Sequence, residues 1–266
     1  HHPSLILALI IGTTTCIWKV ECHTGKITPI MHNNDISKIL KDWAYKQGML
    51  DARIIEAVDG RSLIQIRIEL GVIQMEMAGR PDGILQDGYP TLLALFEDRG
   101  VWSGIDPEMC RRLREEGVQR SHRSAALFAL GKWASVIQDC NDNLELFDLC
   151  RDNAQEQLDK DALEQFRAAV IAMRARAGAE WAVEEGHQVK AVEAVNRGLE
   201  ELQETLGAEW ESSNEVQLLR GMKEALVPQL PRSERADLKE RLDAAIEAEN
   251  YELAAILRDE LRLLRD

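Results

Sequence analysis

The chain has 266 residues, 45% of them hydrophobic, which suffices for a core in one large or two small domains. Its 32 basic and 46 acidic residues leave a formal charge of −14 at pH 7. Such a chain repels a phosphate backbone, so a general nucleic-acid coat protein is excluded. The acidity sits late: residues 1–100 hold 10 basic and 12 acidic side chains, the remainder 22 and 34. The second part is also rich in Ala, Leu, Glu and Arg, a helix-forming composition.

The chain opens with His1-His2-Pro3, and Leu5 to Ile11 is wholly apolar. A membrane-spanning helix needs roughly 20 apolar residues, and a secretory signal needs basic residues before the run and a small-x-small site after it. Neither pattern is met, and Met31 is the expected natural start. Residues 1–30 are then a poorly defined extension, with an added strand or a weak anchor as alternatives. The five cysteines, Cys16, Cys22, Cys110, Cys140 and Cys150, form no C-x-x-C pair, and their odd number argues against a disulfide framework. A reducing cytoplasm fits this usage. Cys16, Cys22 and His23 lack a fourth donor, so no metal and no cofactor is expected.

Between Asp51 and Gly83 the hydrophobic period is two. Ala52 to Val58 is a strand candidate. Ile64, Ile66, Ile68 and Leu70 alternate with Gln65, Arg67 and Glu69, and Ile73, Met75 and Met77 alternate with Gln74 and Glu76. Asp59-Gly60 suits a hairpin turn, Gly71 a turn or bulge, and Arg80-Pro81-Asp82-Gly83 a closing turn. An antiparallel meander with a solvated polar face follows. Helical spacing in Asp35–Trp43 and Thr91–Glu97 suggests two helices covering the apolar face. Residues 31–100 thus read as a small α+β module.

From Pro107 the pattern is helical. Gly131, Trp133, Val136, Ile137 and Leu144 form one series and Gly186, Ala191, Val192 and Leu199 a second, each glycine preceded by a helical stretch and standing 13 residues before its leucine. Both glycines are expected to end helices at tight turns. The series resemble the second half of a tetratricopeptide repeat, although Gln188 takes the aromatic position, the copies lie 55 residues apart, and polar Asp152–Asp161 intervenes. The resemblance implies a protein-binding concave face on residues 101–227; ordinary helix packing accounts for the same residues.

Pro228 and Pro231 predict a linker over 228–235. Leu238, Leu242, Ala245 and Ile246 then share one helix face and Ala254, Leu257, Leu261 and Leu264 another, giving a two-helix hairpin over 236–266. Glu249, Tyr251, Glu252, Ala254-Ala255 and Arg258-Asp259 make this segment resemble the UVR motif of the UvrB/UvrC family, with Asn250 departing from the acidic residue usual before the tyrosine. In that family the hairpin joins UvrB to UvrC in nucleotide excision repair. Related hairpins serve bacterial protein-arginine kinase activators and adaptors of Clp-type unfoldases. The resemblance implies a docking element of bacterial type, with a UvrB/UvrC-like or Clp-type protein partner.

Leu242, Ile246, Tyr251, Ala254, Ala255, Leu257, Arg258 and Leu261 are the candidate partner-binding residues. A 30-residue hairpin cannot cover all its own leucines, leaving another chain, a second copy or the chain's own helical block to do so. No G-x-x-x-x-G-K-[ST] loop, nuclease signature, G-x-S-x-G elbow or H-E-x-x-H occurs, so no catalytic residue is assigned. The expectation is a mainly α, non-enzymatic cytoplasmic adaptor that binds neither nucleic acid nor membrane directly. The alternative is an enzyme with its site on the meander's polar face or at the Arg80–Gly83 turn.

Overall fold

The computed structural model describes residues 35–101, 104–227 and 232–263. The apolar Leu5–Ile11 run, Cys16, Cys22, His23, Met31, Pro228, Pro231 and Leu264 lie outside the described residues. The described part is mainly helical with one small sheet. A short helix α1 (Ser37–Asp42) buries nothing and precedes three strands, β1 (Asp51–Glu56), β2 (Ser62–Ile68) and β3 (Gly71–Glu76). Nine more helices and two 3-10 turns follow among the described residues.

The meander pairs antiparallel in the order β1-β2-β3, with Ile64 opposite both Ile54 and Met75. Gly60, at φ 83°, closes the first turn. The second turn is Glu69-Leu70, across which Ile68 pairs with Gly71, so Gly71 begins β3 and is not a bulge. Two expectations about the sheet's faces are corrected. Ile64 (0% exposed), Ile66 and Met75 are buried, but α1 does not cover them. The long helix α3 (Pro107–Ala129) lies against β1 and β2 instead, while α2 (Leu92–Arg99) packs on α4 (Trp133–Asn153).

The polar face is not solvated at its centre. Gln65 and Arg67 are 5% and 7% exposed. Arg53 donates to Gln65 Oε1 through Nε and Nη2 at 2.9 and 2.7 Å, and Gln65 Nε2 donates to Gln74 Oε1 at 2.9 Å, a ladder across all three strands. Trp43 stacks on Arg53, its ring centre 4.1 Å from the guanidinium carbon. Arg67 ties the ends of the sheet together, donating to the carbonyls of Trp43 at 2.7 Å and Gly71 at 3.0 Å. These side chains satisfy backbone and one another, which is structural work.

Helix α3 begins where Asp106 caps the Met109 amide at 2.8 Å with Pro107 in the first turn. Between α3 and α4 runs a buried polar lattice. Arg123 grips Asp139 with two bonds of 2.9 and 2.7 Å and spends Nη1 on the carbonyls of Glu76 and Gly79. Arg120 donates to Glu116 at 2.6 Å, both side chains being 0% exposed, and Glu116 accepts from the Leu92 amide at the start of α2. Asn143 reaches the Gly117 carbonyl at 3.2 Å. Sheet, α2, α3 and α4 are thereby fixed to one another through charge-assisted bonds.

The polar stretch after α4 folds as α5 (Gln157–Asp161) and a 3-10 turn (Glu164–Phe166). Then α6 (Arg167–Glu184) packs on α4, α7 (Gln188–Leu206) on α6, and α8 (Asn214–Leu226), after a second 3-10 turn (Gly207–Ser212), on α7. Ala172, Ala175, Ala179, Ala191 and Ala194 are buried on α6 and α7, small side chains that allow close approach. Most of the buried apolar side chains form one cluster, from Ile64 on the sheet to Leu257 near the carboxyl end.

Gly131 and Gly186 end helices as expected, at φ 65° and 78°. Around Gly131, Lys132 N donates to Leu127 O and Gly131 N to Phe128 O; around Gly186, His187 N donates to Ala182 O and Gly186 N to Val183 O. Both are Schellman turns. The next helix resumes two residues after the glycine. Trp133, at that position in the first turn, meets Phe128 edge-on at 5.1 Å between ring centres.

Two consequences can be measured. Arg123→Met leaves Asp139 buried without its cation and should lower unfolding stability in urea by about 3–5 kcal/mol. Adding Asp139→Leu should recover part of the loss only, because the Glu76 and Gly79 carbonyls stay unpaired. Gly131→Val forces a β-branched residue to positive φ and should cost at least about 1 kcal/mol in the same assay.

Candidate functional site: the carboxyl-terminal hairpin

Helix α9 (Arg232–Glu247) and helix α10 (Tyr251–Leu263) pack against each other. Their turn repeats the geometry of the two glycine turns: Asn250 N donates to Ala245 O at 2.9 Å and Glu249 N to Ile246 O at 3.0 Å. The left-handed position is held here by Glu249, at φ 55°, where the other two turns have glycine. Asn250 then caps α10, its Oδ1 accepting from the Leu253 amide at 3.2 Å. Its short side chain is what a cap requires.

The structure divides the eight sequence candidates. Ala254 and Leu257 are buried, at 8% and 2% exposure, together with Leu238 and Ala245. Leu242 and Leu261 are half-buried and pack on that same cluster, and Ala255 is half-buried. Leu257 and Ala254 are therefore covered within the chain and are not presented at its surface. Arg258 is exposed and bonds to its neighbour Asp259. Ile246 and Tyr251 are exposed, and so are Leu253 and Ile256, which the reading of the sequence did not select.

The signal for the last two was present but ambiguous. Leu253 and Ile256 stand three apart on α10 and so share a stripe. Leu257, four residues from Leu253, competes for the same description, and periodicity alone does not say which stripe faces α9. The tip thus presents Ile246, Tyr251, Leu253 and Ile256, from 40% to 70% exposed, beside the exposed carboxylates Glu247, Glu249 and Glu252.

The hairpin rests lightly on the body. Lys223 on α8 donates to Glu260 on α10 at 2.7 Å, with both side chains more than four-fifths covered. The deeply buried helix–helix contacts of residues 107–227 have no counterpart of similar extent at this junction.

Residues 232–266 match the UvrB/uvrC motif. The family model for that motif takes in α9, the turn and α10, and covers a small part of the chain. No curated protein and no solved structure matches the chain. Among the described residues, no group of three or more His, Cys, Asp or Glu side chains is placed to hold a metal ion. No helix among them is long and apolar enough to cross a membrane.

The division between inward and outward side chains is testable by circular dichroism during thermal unfolding. Leu257→Asp puts a carboxylate into an apolar contact and should destabilise the hairpin by several kcal/mol. Ile256→Asp, one residue away, should shift its unfolding by less than about 0.5 kcal/mol, as surface changes do.

Proposed function

We propose that the chain is a non-enzymatic adaptor that docks a protein partner through the tip of its carboxyl-terminal hairpin. The observation that carries this reading is the exposed apolar set Ile246, Tyr251, Leu253 and Ile256 on a UvrB/uvrC motif. An apolar patch on a small hairpin costs solubility unless something covers it. Tyrosine is favoured at interfaces because its ring is large and its hydroxyl tolerates water.

Glu249 adds support. A non-glycine residue at positive φ is strained, and such strain tends to collect at functional positions. With Glu247 and Glu252 it gives the patch an acidic border, so the complementary partner surface is an apolar groove rimmed by Lys or Arg. A second copy of this chain, itself at −14, is disfavoured by the same electrostatics, and so is DNA.

The partner classes suggested by the motif are a UvrB/UvrC-like protein, in nucleotide excision repair, or a Clp-type unfoldase, in protein quality control. Both belong to the bacterial cytoplasm, a setting compatible with the free Cys110, Cys140 and Cys150. The helical hairpins of residues 101–227 would then act as a tetratricopeptide-like scaffold that presents the motif, whose first helix already begins at Arg232, inside the expected 228–235 linker. The enzyme alternative loses its main support, since Gln65 and Arg67 are buried and committed to structural bonds.

The test is affinity capture with the full chain, followed by mass spectrometry. A protein retained by the wild type should be lost with the pair Tyr251→Ala and Ile256→Asp while the thermal midpoint of the body stays within about 2 °C. Capture that survives both changes, or salt-sensitive nanomolar binding to duplex DNA by the wild type, would overturn the reading.

A further inference from the structure

Helix α4 packs against both α3 and α6, which make little contact with each other, so a groove runs between those two with α4 as its floor. Val118 and Ala125 of α3, Ala169 and Met173 of α6 and Phe147 of α4 line it, and the surface it exposes is mainly apolar. Val118 stands at the mouth, 42% exposed. The space enclosed below is about 80 Å³. That admits a short aliphatic side chain and excludes a ring or an acyl chain, so a ligand must lie mostly along the open groove.

One end of the groove carries a charge. Phe128 stands three residues after Ala125 and Arg176 three after Met173, and the two meet, with the guanidinium carbon 4.6 Å from the ring centre. Their contact lies one turn beyond the last lining residue on each helix. Arg176 is half-buried, yet no carboxylate among the described residues pairs with it. Other arginines of α6 are satisfied: Arg167 pairs with Glu164 and Asp148, and Arg174 with Glu201. Glu180, one turn on, acts on Arg176 through space without bonding to it, and Glu184 is taken by the Trp133 indole. Burial holds the guanidinium below its ordinary pKa against that one opposing charge. A ring under its plane leaves the N–H edge free, and that edge is what grips a carboxylate. In a chain of charge −14, a half-buried cation without an anion is conspicuous.

We propose that this groove docks an extended peptide segment of a partner protein, with a Val, Leu or Ile side chain entering beside Val118 and Met173 and an Asp or Glu carboxylate bound by Arg176. Ala169 to Arg176 spans about 10 Å along α6. An extended chain covers that distance in about three residues, which sets the spacing between the aliphatic side chain and the acid. The inference is independent of the hairpin and its partner.

The test is selection of a random peptide library displayed on phage against the full chain, followed by affinity measurement on the best peptide. Enriched peptides should share an aliphatic residue and an acid about three residues apart. Replacing that acid by its amide should weaken binding on the order of tenfold, the scale of one charge-assisted bond. Arg176→Gln should weaken the acidic peptide by a similar factor and leave the amide peptide within about twofold, which ties the two groups to each other. Arg176→Lys, which keeps the charge, should retain part of the acid preference. Val118→Asp should weaken both peptides at least about tenfold. These variants should hold the thermal midpoint within about 2 °C, because Arg176 has no ion pair to lose and Val118 is partly in water. Absence of any enriched peptide overturns the proposal. So does an acid that can become an amide without loss, or enrichment only of peptides whose binding survives Arg176→Gln or Val118→Asp.

Discussion

The body of this protein is organised around the ionic grip of Arg123 on Asp139, because that one guanidinium joins three layers. Two of its nitrogens hold α4 through the carboxylate, and the third reaches carbonyls at the end of β3 and beyond it. A charged pair taken out of water gains little net stability, so its value lies in geometry. An apolar contact of the same area would let the sheet slide on α3. The bidentate bonds and the two carbonyls define one register, and Arg120, Glu116 and Asn143 extend the same rule to the start of α2.

A second rule, local this time, governs the helices. Three hairpins, at Gly131, Gly186 and Glu249, use one turn with the same pair of backbone bonds and the same two-residue step to the next helix. The first two were legible in the sequence because glycine advertises positive φ. The third hairpin was legible from the apolar spacing of its two helices and from the family resemblance, but the position of its left-handed residue was not, since glutamate gives no conformational signal. Asn250 looked like a departure from the motif's pattern, yet it supplies the cap that begins α10.

The alternation of the strands was readable as far as Ile66 because a period of two puts successive side chains on opposite faces, whereas Ile68 and Leu70, expected on the apolar side, are exposed at the strand end and in the turn. The fate of the polar face was not readable. It depends on Trp43 folding back over Arg53 and accepting from Arg67, a contact 24 residues away along the chain that leaves no periodic trace. The Glu116–Arg120 pair misleads in the same way: its i,i+4 spacing is that of a solvent-exposed helix pair, and it is completely buried. Which helix covers the sheet is likewise decided by tertiary packing, and α3 wins over α1 because it has the length and the arginines to satisfy the sheet's end.

The two ends of the molecule therefore treat their unusual side chains in opposite ways. At the centre of the meander, Gln65 and Arg67, which looked solvated, are buried and bound to backbone or to side chains of neighbouring strands. At the hairpin, apolar groups that looked like core split in two. Ala254 and Leu257 go inward, while Ile246, Leu253 and Ile256 stay in water beside Tyr251. A glutamate at positive φ holds the turn between α9 and α10, where glycine would relieve the backbone but remove a carboxylate. Folding alone favours glycine there, as at the other two turns. A surface that keeps its apolar side chains wet and its turn at positive φ is not what packing within the chain alone selects, and this is the physical ground for the docking role proposed for the tip.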